Sequence, residues 1–174
     1  MDKPEARLAR LEAELAACLR NHTLLRGGAA KVEWNNMRLR TGIRDLIRNL
    51  PEDPDLAAIA EKLEDAIAIP FASALGQPDK VALPPSPGPT SAEDRVAFLE
   101  ARLRETGRAN YLIQCAGARA VWNSEAIRAV MREIAKELTT RDREDELEDP
   151  ASLDHAMLAA IVDELASILK AAAD

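Results

Sequence analysis

The chain reads as an all-α protein: a tandem duplication of a long helix plus a short helix, forming a pseudo-twofold, coiled-coil-like bundle. Three observations predict this. Alanine, leucine, arginine and glutamate, the strongest helix formers, dominate the 174 residues, whereas aromatics make up only 3%. Strand signals, runs of β-branched and aromatic residues in alternation, are missing. The sequence also repeats itself. Shifted by 88, Leu11–Leu50 lies over Leu99–Leu138 without a gap, and twelve of the forty pairs are identical, among them Trp34/Trp122, Asn35/Asn123, Arg40/Arg128 and Arg44/Arg132. A fixed internal period marks a repeated supersecondary unit.

The first long helix is expected over about 5–50. Steps of three and four from Leu8 trace Leu11, Leu15, Cys18, His22, Leu25, Ala29, Val32, Asn36, Leu39, Ile43, Leu46 and Leu50. A heptad sustained this far argues for a helix–helix seam. Gly27-Gly28 interrupts the pattern of good helix formers, at about 1 kcal/mol per glycine. The heptad phase runs straight through, so one continuous helix is expected. The first short helix follows over about 55–68, with Pro54 near its first turn. Its stripe is Leu56, Ile59, Leu63 and Ile67. Together these make a first repeat, residues 1–69.

Residues 70–90 hold six prolines, which lack an amide donor and fix φ, so an extended linker is expected there. The second repeat, 91–174, has its long helix over about 91–140. The seam is Val96, Leu99, Leu103, Thr106, Asn110, Ile113, Gly117, Ala120, Ser124, Ile127, Met131, Ile134 and Leu138. An acidic insert over about 139–152 comes next, then a short helix over about 153–172. Ser152 is its expected N-cap, and its stripe is Leu158, Ile161, Leu165 and Ile168.

The two seams are large and apolar at their ends, small or polar in the middle. With Ala29 set against Gly117 as a close crossing point, the polar residues His22 and Asn36 fall opposite Asn110 and Ser124. Buried polar groups are costly unless paired, which favours this register. The register suits either direction; the antiparallel one is expected, because it would give a three-helix core at each end.

The chemistry-bearing candidates are few. Trp34 and Trp122 sit opposite the seam. The expected position for at least one of them is the core, beneath a returning short helix or near Phe71; the alternative is an exposed anchor for a partner, since Trp and Arg dominate binding hot spots. Arg40/Arg44 and Arg128/Arg132 are like-charge pairs at i, i+4, which repel unless an anion lies between. The internal candidates are Glu61, Glu64 and Asp65, or Asp163 and Glu164; an external anion is the alternative. The sequence holds two histidines and two cysteines. It has no metalloprotease HExxH, no P-loop, no GxGxxG and no CxxC. No catalytic residue, metal site or cofactor is expected.

The net charge of −7 disfavours nucleic acid as a partner. No apolar run is long enough to span a membrane, the N-terminal stretch carries no signal-like apolar core, and two cysteines make no disulfide framework. A cytoplasmic setting is therefore expected. The reading that follows is a non-enzymatic helical interaction protein, an adaptor, assembly chaperone or regulator. It would bind a protein partner through its long-helix bundle and could form a homo-oligomer. The alternatives are a bundle that binds a small ligand or anion through the repeated arginines and the polar layers, and a nucleic-acid-binding regulator.

Overall fold

The computed structural model of the chain describes residues 4–68, 91–148 and 153–173. Four helices and no strand are present among them: α1 (Pro4–Asn49), α2 (Pro54–Ala68), α3 (Ala92–Glu148) and α4 (Leu153–Ala171). The linker expected over 70–90 and the cap expected at Ser152 lie outside the described residues.

The ends of the helices follow from local chemistry. Pro4 opens α1, where its missing N–H costs nothing, and Glu5 stands near the positive end of the helix dipole. Pro51 ends α1, because the residue before proline is pushed out of the helical region. Asp53 caps α2, its carboxylate accepting the Leu56 N–H at 3.3 Å. At the start of α3, Ser91 Oγ accepts the Asp94 N–H at 3.1 Å and donates to the Asp94 carboxylate at 2.8 Å. Gly27 and Gly28 are helical, with no positive φ in the chain's described backbone. α3 continues to Glu148, some way past the expected end near residue 140; the Arg and Glu residues there are good helix formers.

The chain divides into two compact units, each drawing on both long helices: Met1–Lys31 with Ala72–Ala118, and Val32–Phe71 with Arg119–Asp174. In the first unit, two helical segments pack along the heptad seam. Their contacts climb together, Arg7 with Glu100 and His22 with Asn110, so the segments run parallel. The antiparallel expectation is overturned. Charge gives the reason. Arg7 and Arg95 occupy heptad position g, Glu12 and Glu100 position e, and in a parallel pair each g residue meets the e residue five places on. Both ion pairs form, Arg7–Glu100 and Arg95–Glu12, the latter at 3.0 Å. Among the described residues of this unit, only Leu11, Ala29, Thr106 and Asn110 are buried outright. The expected close crossing at Gly117 is also not found, because a Cβ added there would meet nothing within 4 Å.

The second unit is a four-helix core. The C-terminal halves of α1 and α3 and all of α2 and α4 contribute to one apolar cluster. α1 supplies Leu39, Ile43 and Leu46; α3 supplies Ile127, Met131, Ile134 and Leu138. Leu56, Ile59 and Leu63 of α2 and Leu158, Ile161, Leu165 and Ile168 of α4 close it. Each fully buried Leu or Ile contributes about 1.5–3 kcal/mol. Two separate three-helix cores would each have fewer walls. Pooling both short stripes with both large seam ends buries Leu39, Ile43, Leu63, Ile127, Met131, Leu138 and Leu165 to 0% exposure.

Candidate functional site

The repeated arginines occupy places the sequence did not disclose. Arg40 is buried at 8% exposure. Its Nε donates to Asn36 Oδ1 at 2.6 Å, and its Nη1 donates to the carbonyl oxygen of Ile67 in the last turn of α2. Arg128, 88 residues on, donates through Nη2 to the carbonyl of Ala172 at 2.7 Å, just past the end of α4. Helix C-termini present unsatisfied carbonyls and partial negative charge, and each long helix delivers one arginine to them. The expected carboxylate partners on the short helices are therefore replaced by main-chain carbonyls. Arg44 and Arg132 are exposed. Neither makes an ion pair or hydrogen bond among the described residues. Burial, and after it the nearby charge of Arg44, hold the Arg40 guanidinium below the ordinary arginine range.

The two arginines differ in one respect. Asn36 Oδ1 takes the Arg40 Nε–H, whereas Arg128 Nε is buried with no hydrogen-bond partner. The residue one turn before Arg128 is Ser124, whose hydroxyl already accepts from Asn36 Nδ2 at 3.0 Å.

Trp34 and Trp122 are both exposed, at 56% and 68%, so the core position expected for at least one of them is not observed. The reason is reach. α2 and α4 deliver their last carbonyls to the level of Arg40 and Arg128, six residues beyond each tryptophan. The short helices stop before they could cover either ring. Around Trp34 on the outer face of α1 lie exposed Met37, Arg38, Thr41 and Arg44; around Trp122 on α3 lie exposed Val121, Glu125 and Ala129.

The central polar residues pair as the register requires. In the first unit, His22 Nδ1 and Asn110 Oδ1 lie 2.8 Å apart, with the ring N–H as donor, and Asn110 Nδ2 donates to the Cys18 carbonyl at 3.1 Å. In the second, Asn36 is buried at 0% exposure and bonds Ser124 and Arg40. These residues hold one another, and their capacity for an external ligand is correspondingly reduced. Tyr111 is exposed, and the Cys115 side chain one turn on holds its pKa above the ordinary tyrosine range.

Among the described residues no group of three or more His, Cys, Asp or Glu could hold a metal ion. A depression of about 400 Å³ at the α1–α2 corner is lined by apolar residues such as Ile47, Leu50, Leu56 and Ala57 and by two acids, Glu52 and Asp53; Asp53 is already engaged as the cap of α2. No helix among the described residues is long and apolar enough to cross a membrane. The features that remain are two tryptophans at equivalent heptad positions, each on the outer face of a long helix. No family model matches the chain, and neither does any curated protein or solved structure at a level that supports an inference.

Proposed function

We propose that the chain is a non-enzymatic interaction protein, an adaptor, assembly chaperone or regulator, that binds a protein partner through the outer faces of its long helices around Trp34 and Trp122. The observation that carries this reading is the exposure of both rings at positions 88 residues apart. Burying a tryptophan is among the largest single gains an interface can make. Two such rings kept out of the core, one per long helix, are best explained as anchors.

A duplicated long-plus-short helix with pseudo-twofold symmetry forms part of the proposal. It is supported by the equivalent roles of Arg40 and Arg128 at the ends of the two short helices. The cytoplasmic setting expected from the sequence belongs to it as well. The anion-binding alternative is weakened, because two of its four arginines already serve helix carbonyls.

Trp34→Ala and Trp122→Ala, singly and together, test the reading by co-purification from native lysate. A specific association should be lost while helicity and melting temperature stay unchanged. Retention of every association in the double variant would sink it. So would a steep fall in melting temperature, because truncating a core tryptophan costs about 3–5 kcal/mol.

A further inference from the structure

Resting on that interaction reading, we propose that the α1 face around Trp34 takes an acidic amphipathic helix of its protein partner, whereas the equivalent α3 face does not. From Trp34 the helical steps of three, four and seven reach Met37, Arg38 and Thr41, and Arg44 lies one step of three further. This is one stripe of α1. Trp34 is 56% and Met37 51% exposed, so the stripe has an apolar centre. Arg38 and Arg44 are exposed beside it, and neither has an ion pair or hydrogen bond among the described residues. Of the acids beside the stripe, Asp45 is already engaged by Arg48 at 2.9 Å, and Glu33, next to Trp34, is half-buried with an interaction of its own. Arg44 also stands one turn from the buried cation of Arg40, so a carboxylate brought to Arg44 would relieve a like-charge contact already present.

The α3 face, shifted by 88, places Glu125 where α1 has Met37 and Ala126 where it has Arg38. Glu125 is paired with Arg128 at 2.9 Å. That face keeps the ring and has Val121 beside it, 47% exposed, but it carries an acid in place of Met37 and lacks the cation of Arg38. The two tryptophans are thus repeated and their charge surroundings are not.

An apolar centre with cations along its edge is the complement of a helix with an apolar stripe and flanking carboxylates. Two unpaired arginines are too few for a phosphate backbone, where affinity grows with the number of phosphates neutralised. They also fall short of the clusters of four or more basic residues that hold anionic lipid.

The experiment uses the full chain and two labelled synthetic helices, one with a leucine stripe flanked by glutamates and its lysine-flanked counterpart, read by anisotropy. The glutamate helix should bind at one per chain, at least about tenfold more tightly than the lysine helix. Its affinity should fall by at least about tenfold as salt screens the pairs. Trp34→Ala and the double variant Arg38→Glu/Arg44→Glu should each weaken it at least about tenfold. Arg10→Glu, which makes half that change in net charge far from Trp34 in sequence, should leave it within about twofold.

Equal binding of the two helices, two glutamate helices per chain, no detectable binding, or an equal loss in Arg10→Glu would overturn the proposal. Tighter binding of poly-uridine or of phosphatidylserine vesicles would overturn it too. If Trp34→Ala abolishes the native association while Arg38→Glu/Arg44→Glu leaves it intact, the acidic partner is refuted and the interaction reading survives. If neither change affects any association, the Trp34 face fails under both.

Discussion

Replacing Arg40 by alanine should destabilise the protein by about 3 kcal/mol. Among the described residues the side chain makes two charge-assisted hydrogen bonds, to Asn36 Oδ1 and to the Ile67 carbonyl, each worth about 1.5–3 kcal/mol. Removing it strands the Asn36 oxygen, in a residue with no exposure, and reopens the end of α2. Against this stands the cost of holding a cation there, which burial and the neighbouring Arg44 charge both raise; losing that cost returns part of the sum. Arg128→Ala should cost about half as much. Arg128 keeps one main-chain carbonyl and an exposed glutamate, and its Nε is already unpartnered, and exposed ion pairs contribute about 0–1 kcal/mol. Arg40→Lys should fall between, because a single ammonium does not reproduce the planar fork that reaches both acceptors. Urea unfolding followed by circular dichroism measures the difference: with a slope of about 2 kcal/mol/M, the Arg40→Ala midpoint drops by about 1.5 M. Amide exchange in the last turn of α2 should speed up more than elsewhere. An Arg40→Ala protein within about 0.5 kcal/mol of the parent, or an Arg128→Ala protein less stable than it, would refute the capping argument.

Three other outcomes follow from the packing. A Cβ at Gly42 would sit 2.9 Å from two Ile168 carbons, so Gly42→Ala should cost about 1–2 kcal/mol through overpacking, whereas Gly27→Ala and Gly28→Ala, with nothing within 4 Å, should each stabilise by up to about 1 kcal/mol; thermal melts of the three separate the effects. Tyr111 is the only tyrosine, so its phenolate absorbance reports it directly, and it should titrate above the ordinary range until Cys115→Ala brings it down. Because the folded state holds this proton more tightly, the contribution to stability is present below the ordinary tyrosine value and is lost as pH rises through the raised folded one; unchanged titration in Cys115→Ala would contradict the cause given. Asn36→Leu should lower the melting temperature rather than raise it, because it strips partners from both Arg40 and Ser124; a gain would mean that the buried network costs more than it contributes.

Much of this protein was legible in its residues alone. Helix formers without strand signals, Pro51 as a stop and the three-and-four spacing of Leu39, Ile43 and Leu46 are local properties, and local rules place four helices and their apolar stripes. The pairing of Asn36 with Ser124 was legible as well, since polar layers inside a seam have to find each other. Direction was written in Arg7, Glu12, Arg95 and Glu100, whose spacing suits a parallel pair, but the signal is small beside the seam and becomes visible only when heptad positions are assigned across both helices. What tertiary structure alone decided is where each stripe found its cover. A stripe specifies that it must be buried and leaves open against what, so whether α2 and α4 joined one core or two depended on the summed burial of all four helices. That choice set how far the short helices reach. Their ends stop at Arg40 and Arg128, turn those arginines into caps for main-chain carbonyls, and leave in solvent Trp34 and Trp122, side chains that read as core from their chemistry.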